Sequence, residues 1–413
     1  MQSMMTSSAS LYVPATATKP GHAPSLPARV LALALPLVLG ACASTSSPPV
    51  PLDGGVTSLQ KLAATGTQSA DAQPLPIPRP GVDNSAEINA LLKAPLTADA
   101  AVRIALLNNP GLQVALASDG INISDASAPN SVAKLKARQA LIQTSAQARK
   151  AWINAVAAAQ SARYLRDAKE GAEAGGELAR RLARVGNWSR LQQARQQALL
   201  TDAAIQLARA EQAAFSEREK LIVVMGLWGP QTGFTLPDRL PDLPAQAQEL
   251  PDIESRVLAS RADLQLAMTD YRQRLAGKRE TGRDALWDSL RDSAKVREIA
   301  VKARSEAREA YHAYRTAHDL ARHYQADVVP VRKFINDEMV LRYNGMLSSI
   351  FDVLADAQAQ VLATNSAIEA QRDFWLAESD LQTVLAGATP EMSAGSAGRS
   401  SGASAAGAAA PAH

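Results

Sequence analysis

The chain of 413 residues has a single cysteine, few aromatic residues and no long apolar segment. One cysteine excludes a disulfide within the chain and argues against a zinc site of the Cys/His type. Aromatic residues make up only 4% of the sequence. Much of the remaining apolar content is alanine, which favours helices but buries little surface. No apolar run reaches the roughly 20 residues that a membrane-spanning helix needs. This composition favours long helices that pack closely along their lengths.

An excess of charge of one sign is also missing. The chain carries 43 basic and 40 acidic side chains, with a net charge of +3. These charges are spread along the sequence and form no concentrated basic stripe, so we expect no nucleic-acid binding. The sequence also lacks a nucleophile–base pair, a phosphate-binding loop and a cluster of metal ligands. We therefore expect no enzyme activity, no cofactor and no metal site.

The one cysteine follows an N-terminal segment that is typical of secreted lipoproteins. Residues 30–41 form a short apolar run that ends in Gly40 and Ala41, directly before Cys42. Small residues at these positions suit a lipoprotein signal peptidase, after which the cysteine thiol accepts a lipid. The sequence predicts a signal peptide over residues 1–41 and lipidation of Cys42. The alternative is an ordinary secretory signal that happens to contain a cysteine.

An internal repeat organises the rest of the chain. A shift of 159 positions places residues 148–152 on residues 307–311, Gly186 on Gly345 and Ser189 on Ser348. Each copy is a long, alanine-rich helical pattern that turns at a glycine and returns as a second helix. The sequence therefore predicts an all-α fold of two tandem repeats of long antiparallel helical hairpins, of the coiled-coil α-barrel type.

The predicted order of segments follows from composition and from helix start and stop signals. A flexible, lipid-anchored linker over 42–95 leads to the first helical repeat over 96–235, a proline-rich linker over 236–251, the second helical repeat over 252–388 and a disordered tail over 389–413. These boundaries fall where proline, glycine and serine replace the helical pattern.

Several local features of the two repeats are also predicted. Thr97 should cap the first helix, and Asn108–Asn109–Pro110 should interrupt it, with an answering break at Ser260–Arg261–Ala262. Long helices should cover 132–185 and 284–343, the second with a kink at Pro330. Bends in the first long helix are expected at three glycines, Gly171, Gly175 and Gly176.

Together these features resemble the outer-membrane efflux protein family, the TolC-like exit ducts of Gram-negative efflux pumps and type I secretion systems. The resemblance covers about residues 96–387. It depends on an ordered set of short motifs, none of which is strong alone: LTADAAVRIAL at 96–106, NNPGL at 108–112, VGNWS at 185–189, MGL at 225–227, RYNGMLS at 342–348 and LAG at 385–387.

The resemblance implies a homotrimer whose six repeats form one tube across the periplasm. The glycine turns would form the periplasmic tip, where the duct meets the adaptor protein of an inner-membrane pump. In this chain the tip residues would be Gly186, Asn187, Trp188 and Ser189 in the first repeat, and Gly345, Met346, Leu347 and Ser348 in the second. Their residue types suit a turn between two helices, because a sharp reversal favours glycine and a serine can cap the helix that follows. The alternative is a pair of hairpin turns with no partner.

One feature of that family is missing. The family places two membrane strands between the first and second long helices of each repeat. A membrane strand takes about 9–11 residues of alternating polarity, and only residues 120–124 resemble one in this chain. We therefore expect little or no β-barrel.

Two groups of side chains invite other interpretations. His312, His318 and His323 lie close in sequence, but a helix separates the first and last by about 16 Å along its axis, so we expect no shared metal there. Trp152 and Tyr311 occupy equivalent repeat positions and are expected to pack in the helix seams.

Three carboxylates near the second turn have two possible roles. They are Glu338, Asp352 and Asp356. An ordinary helix surface is the interpretation that we favour. The alternative is an acidic ring that lines the narrow end of a tube and selects cations.

These features favour the outer-membrane component of a tripartite efflux or secretion system. It would be a passive periplasmic exit duct for small molecules or ions, anchored to outer-membrane lipid through Cys42 and facing the periplasm of a Gram-negative bacterium. The alternative is a lipid-anchored periplasmic helical spacer or binding protein without channel activity.

Overall fold

The computed structural model describes residues 84–118, 132–184, 189–277 and 283–390. All regular elements in these ranges are helices, so the predicted all-α fold is confirmed. The predicted signal peptide, Cys42, most of the linker over 42–95, the candidate strand at 120–124 and nearly all of the tail lie outside the described residues. Among the helices that the structure describes, none is both long enough and apolar enough to span a membrane.

The first repeat contains two short helices and one long hairpin, preceded by a helix of two turns. The helices are α1 (Ser85–Leu91), α2 (Ala98–Asn108), α3 (Pro110–Ser118), α4 (Val132–Arg184) and α5 (Arg190–Met225). With 53 residues, α4 is about 80 Å long. Thr97 caps α2 as predicted, because its Oγ1 accepts a hydrogen bond of 3.2 Å from the Ala100 amide.

The second repeat has the same order of elements. It follows a single 3₁₀ turn (Gly229–Gly233) and an extended segment. Its elements are α6 (Ile253–Ser260), α7 (Ala262–Gly277), α8 (Arg283–His323), a π-helix (Tyr324–Val328), α9 (Val329–Asn344) and α10 (Ile350–Leu385).

The long helices form one antiparallel layer. Helix α4 packs along α5 on one side and against α10 on the other, and α10 in turn packs against α8 and α9. The short helices α2 and α3 lie on α4, whereas α6 and α7 lie on α8. The order across the layer is therefore α5, α4, α10 and then α8 continued by α9. Helix α5 forms one outer edge of the layer, and α8 with α9 forms the other.

Alanines let the helices of the layer approach closely. Ala148 and Ala155 of α4 and Ala303, Ala307 and Ala321 of α8 are completely buried. They recur at steps of four, seven and fourteen residues, which fit the seven-residue repeat of a coiled-coil seam. The seam predicted for the first long helix is confirmed at these α4 positions and at Trp152, which is also buried.

Both repeats interrupt their short helical arm at one extended residue. Asn109 has φ −66° and ψ 117°, and Arg261 has φ −67° and ψ 113°. The Asn109 carboxamide oxygen caps α3 by accepting a hydrogen bond of 2.8 Å from the Leu112 amide. Arg261 is buried and forms ion pairs with Asp263 and Glu306. Burial opposes the charge of Arg261, but its hydrogen bonds to both carboxylates outweigh that effect and raise its pKa.

A glycine with positive φ ends the second helix of each hairpin and lies in contact with the interruption of the short arm in the same repeat. Gly226 follows α5 with φ 66°, and Gly387 follows α10 with φ 93°. A Cβ atom on Gly226 would lie 2.5 Å from the backbone oxygen of Asn108. A Cβ atom on Gly387 would overlap the backbone oxygen of Ser260 in the same way. Only glycine satisfies both the positive φ and the backbone contact.

Aromatic side chains at equivalent positions hold the chain just before each short arm. The Trp152 indole donates a hydrogen bond of 2.7 Å to the Leu96 carbonyl oxygen. The Tyr311 hydroxyl accepts one of 3.4 Å from the Leu250 amide. Trp152 therefore packs in the seam and also fixes the backbone before the short arm by a hydrogen bond. The half-buried Tyr311 makes the corresponding hydrogen bond in the second repeat through its hydroxyl group.

The proline-rich linker is extended, as predicted, and is fixed to the layer along its length. The backbone oxygen of Pro241 accepts hydrogen bonds from Gln371 at 2.6 Å and from Trp375 at 3.1 Å. The backbone oxygen of Pro244 lies 3.0 Å from His318 Nε2. Leu240 and Leu250 are buried in the cores of the first and second repeats, respectively. The linker thus connects the two cores.

A π-helix precedes Pro330, where a kink was expected. Pro330 cannot donate the amide hydrogen bond to Ala326 four residues earlier, and the π-helix spans that position. The expected bends at glycine do not interrupt α4, which is one continuous helix. Instead, Gly175 allows close packing, because a Cβ atom there would lie 3.1 Å from Leu354 of α10.

We predict that Gly226→Ala lowers the free energy of unfolding by about 2–4 kcal/mol, because the methyl group adds both a left-handed strain and an overlap with Asn108. Gly171→Ala is the matched control. It lies inside α4 with no atom within 4 Å of the added carbon, so it should raise stability by about 1 kcal/mol. Urea unfolding followed by circular dichroism measures both, and equal effects of the two changes would contradict this account.

Candidate functional site at the helix turns

The turn between α4 and α5 is described only from Ser189 onward. Gly186, Asn187 and Trp188 lie outside the described residues. Ser189 is the N-cap of α5 and forms a complete capping box with Gln192. The serine Oγ accepts a hydrogen bond of 3.2 Å from the Gln192 amide, and the Ser189 amide donates one of 2.8 Å to Gln192 Oε1. This serine therefore satisfies backbone groups that the helix start leaves unpaired.

The turn between α9 and α10 reverses at Met346 and not at the predicted glycine. Gly345 has φ −81°, a value that any residue adopts, whereas Met346 has φ 62°. The Leu347 amide donates a hydrogen bond of 2.9 Å to Arg342 O, and the Met346 amide donates one of 3.0 Å to Tyr343 O. This hydrogen-bond pattern is the Schellman motif, which usually has glycine at the position of Met346.

The serine that caps α10 is Ser349, not the predicted Ser348. Ser349 forms a capping box with Asp352, whose amide donates a hydrogen bond of 3.3 Å to the serine Oγ. The Ser349 amide in turn donates one of 3.0 Å to Asp352 Oδ2. The functional equivalent of Ser189 thus lies 160 residues away, whereas the seams of α4 and α8 align at 159.

The π-helix accounts for this difference of one residue. A π-helical turn accommodates one more residue than an α-helical turn. The π-helix lies between the aligned seam, which ends near Arg322, and the second turn. Beyond it the repeat interval is 160, which places Met346 opposite Gly186. A constant interval of 159 residues therefore places the second turn one residue too early.

The second turn exposes apolar side chains at its apex. Met346 is 94% exposed and Leu347 is 81% exposed. Phe334 and Leu341 of α9 are also more than half exposed. A methionine held in the left-handed region and in solvent costs free energy and contributes no packing within this chain. Such a residue marks a surface that can contact another molecule.

Of the three carboxylates near this turn, Asp352 has a structural function, since it completes the capping box of α10. Glu338 lies exposed on α9, and Asp356 is half-buried on α10. Near the end of α4, hydrogen bonding from Arg181 and the charges of Arg180 and Arg184 lower the pKa of Glu177. Of the described carboxylates discussed here, Asp352 and Glu177 form local contacts, Glu338 lies on the helix surface and Asp356 is half-buried.

The three histidines do not converge. His318 is buried against Phe374, with ring centroids 5.6 Å apart. His312 lies 3.4 Å from Thr316, and His323 Nδ1 lies 2.8 Å from Asp327 Oδ2. The described residues contain no group of three or more His, Cys, Asp or Glu side chains that could hold a metal ion.

We predict that Met346→Gly raises the free energy of unfolding by about 1 kcal/mol, because glycine adopts the left-handed conformation without strain. Gly345→Ala, one residue earlier, should be close to neutral, since a Cβ atom there would make only ordinary contacts of 3.6 Å or more. Urea midpoints at one fixed protein concentration compare the variants. A stabilising effect of Gly345→Ala that exceeds that of Met346→Gly would refute the assignment of the turn.

Loss of the capping hydroxyl should show which serine caps α10. Ser349→Ala is expected to cost about 1 kcal/mol, as is Ser189→Ala. Ser348→Ala is the control and should change stability by less than about 0.5 kcal/mol. If Ser348→Ala proves to be the more damaging change, the repeat interval of 160 at the turn is wrong.

No protein-family model matches the chain, and no curated protein matches it either. Solved structures do match. The Campylobacter jejuni CmeC outer membrane channel aligns with a TM-score of 0.54 and 14% identity, over 71% of this chain and 68% of that one. A membrane protein from Pseudomonas aeruginosa aligns with a TM-score of 0.52 and 14% identity, over 71% and 72%.

A third match covers nearly all of the other protein. CusC, described in connection with folding and transmembrane channel formation, aligns with a TM-score of 0.50 and 13% identity, over 81% of this chain and 96% of that one. The resemblance seen in the sequence is confirmed at the level of the fold: the chain has the tandem helical-hairpin fold of the TolC-like outer-membrane channels.

Proposed function

We propose that this protein is the outer-membrane component of a tripartite efflux or secretion system, and that it acts as a passive periplasmic exit duct for small molecules or ions. It would be a homotrimer, anchored through a lipid on Cys42 and facing the periplasm. The observation that carries the proposal is the open helical layer, whose two outer edges expose apolar side chains that no described part of the chain covers.

The edge formed by α5 carries Leu191, Ile205, Phe215 and Val223, which are between 44% and 72% exposed. A repeat of 3.5 residues places these four on one stripe roughly 100° wide. The opposite edge exposes Leu320 of α8 and Val331, Phe334 and Leu341 of α9, each more than half exposed. Two different apolar edges on one layer favour a head-to-tail arrangement of copies, which closes into a ring when the rotation allows.

The contact between α4 and α10 supplies a template for that arrangement. Within the chain, this contact joins the first repeat to the second. Its equivalent would join α8 of one copy to α5 of the next. In the template, Ser161 of α4 donates a hydrogen bond to Asn365 of α10. The residue 159 positions after Ser161 is Leu320, and the residue 160 positions before Asn365 is Ile205. Both are exposed leucine or isoleucine side chains, which suits an apolar contact between copies.

The template also contains paired charges. Lys150 of α4 forms an ion pair with Asp380 of α10. Glu378 of α10 is buried, and this burial raises its pKa, although the charge of Arg149 opposes the shift. Buried charges of this kind favour one register of the two helices. These charges therefore fix the register of α4 against α10, and the helices that meet between copies would pack in an equivalent register.

The exposed turn supports contact with a partner at one end of such a tube. Met346 and Leu347 form an apolar apex, and Met is a side chain that adapts to a partner surface. The turn residues of both repeats, 186–189 and 345–349, would meet an adaptor protein. The duct itself would perform no chemistry, since transport through it would be energised by an inner-membrane pump.

The experiment that tests this proposal is a disulfide between neighbouring copies. In the full chain with Cys42→Ser, the pair Ile205→Cys and Leu320→Cys should form a covalently closed trimer under oxidising conditions, visible on a non-reducing gel and by native mass measurement. Leu362→Cys with Ile205→Cys is the matched control, because Leu362 is also exposed but lies on α10. A chain that remains a compact monomer, or that cross-links only to a dimer, would end the proposal.

Conductance separates the duct from a lipid-anchored spacer. The lipidated protein should give ion currents across a planar bilayer. A stable trimer that conducts nothing would instead identify a helical spacer or binding protein.

A further inference from the structure

The contact between the two repeats contains an ion pair that water reaches only in part. The side chain of Lys150 on α4 is 16% exposed, and that of Asp380 on α10 is 26% exposed. Burial raises the pKa of Asp380, although the hydrogen bond and the charge of Lys150 oppose the shift. Such a pair depends on the sign of both partners, because a like charge would remove the attraction and leave the desolvation penalty.

The repeat gives Lys150 a counterpart at an outer edge of the layer, and this counterpart is Glu309. Helices α4 and α8 align at an interval of 159, at which the completely buried Ala148 and Ala307 coincide. Glu309 is exposed and forms no ion pair with a described residue. Leu320 follows eleven residues later, which is about three turns of helix. Glu309 and Leu320 therefore share the outer face of α8.

Asp380 has its counterpart in Lys220, on the opposite edge. Helices α5 and α10 are uninterrupted α-helices of 36 residues each, and Leu221 and Leu381, which are 160 residues apart, are both buried. The Lys220 side chain is 62% exposed and pairs with Glu217 at 2.7 Å, three residues earlier on the same helix. An exposed pair of this kind contributes little stability, so Lys220 can turn to a neighbour without a large loss.

The two counterparts have exchanged charges. Where α4 carries a lysine and α10 an aspartate, α8 carries a glutamate and α5 a lysine. We propose that Glu309 of one copy and Lys220 of the next copy form an ion pair that fixes the register of the contact between copies. This inference rests on the ring of copies proposed above, and it makes a second copy of this chain the partner of both edges.

The exchange of charges also distinguishes contacts within a chain from contacts between chains. If α8 replaced α4 against the α10 of another copy, Glu309 would lie opposite Asp380. If α5 replaced α10 against the α4 of another copy, Lys220 would lie opposite Lys150. Both arrangements bring like charges together and are disfavoured, whereas the contact of α8 with α5 brings unlike charges together. The charges therefore oppose an exchange of repeats between copies.

Position, and not an excess of charge, selects this pair. Residues 217–220 alternate in sign, so the register of the two helices decides which charges meet. The charged neighbours of the pair have partners within their own repeat. Arg218 donates hydrogen bonds of 2.9 and 2.6 Å to backbone oxygens of the segment after α5. Arg308 pairs with a glutamate of α6 at 2.9 Å, and Glu306 pairs with the buried Arg261.

Charge reversal in the full chain with Cys42→Ser tests the ion pair. Lys220→Glu and Glu309→Lys should each raise the concentration at which the trimer dissociates by about tenfold, since each ring contains three such contacts. Native mass measurement over a dilution series gives that concentration. The double variant restores unlike charges and should return it close to the value of the parent protein. Raising the salt from 0.1 to 1 M should reduce the loss in the single variants, because the screening length falls from about 10 Å to about 3 Å.

The matched control combines Lys220→Glu with Asp319→Lys. Its net charge equals that of the first double variant, but Asp319, whose side chain is 72% exposed, lies about 80° around α8 from Glu309 and should not restore the trimer. Circular dichroism checks that each variant keeps the helix content of the parent protein.

The outcomes separate the ion pair from the ring itself. Recovery in both double variants, or single variants that assemble as well as a trimeric parent, would overturn the ion pair and leave the proposed ring standing. A parent protein that stays monomeric at every concentration would overturn both, and its edges would then be surfaces for a different protein.

Discussion

A single layer of long helices buries apolar side chains only where two helices touch, so each outer edge of the layer needs a neighbour. Within this chain the inner helices α4 and α10 have neighbours on both sides, and their seams are closed by alanine. Helix α5 and the α8–α9 pair have a neighbour on one side and expose leucine, isoleucine, valine and phenylalanine on the other. In the closed duct that we propose, the α5 edge of one copy packs against the α8–α9 edge of the next, so that every edge is covered. Other features of the fold, such as the linker's hydrogen bonds and the glycine contacts, hold the two repeats of the layer together.

The two repeats preserve geometry with different chemistry. The extended residue that breaks the short arm is Asn109 in one repeat and Arg261 in the other, with φ and ψ equal within a few degrees. The tether before that arm is an indole N–H in one repeat and a phenolic oxygen in the other. An acidic residue in the first turn of each short helix pairs with Arg149 or Arg308 of the adjacent long helix. The backbone therefore has the same geometry at these positions in both repeats, and side chains of different types stabilise it. This explains why the repeat is visible in the sequence only over short stretches.

The apolar periodicity and the helix start and stop residues were sufficient to predict the helices, the break at Asn108–Pro110 and the cap at Thr97. They were insufficient at the second turn, where Gly345 and Ser348 were expected to perform the functions of Met346 and Ser349. The reason is physical: a π-helix adds one residue to a helix without interrupting it, and no residue type marks its presence. Pro330 was the only local signal, and it predicts a disturbance but not an insertion. A tube closed by several copies was expected, but the residues on its exposed edges could not be identified, because an apolar residue on a helix looks the same in sequence whether its own chain or another copy covers it.

The extra residue has a consequence for the end of the second hairpin. Without it, the interval of 159 would bring Gly345 to the left-handed position of the Schellman motif, and the turn would form without strain. With it, Met346 takes that position and is exposed together with Leu347. The strain of Met346 is small relative to the packing of the whole layer, so the fold tolerates it. What is gained is a flexible apolar side chain at the outermost point of the hairpin, where a glycine would present only backbone. The π-helix that keeps the seam of α8 in register with α10 is thus also the element that places a methionine at the apex.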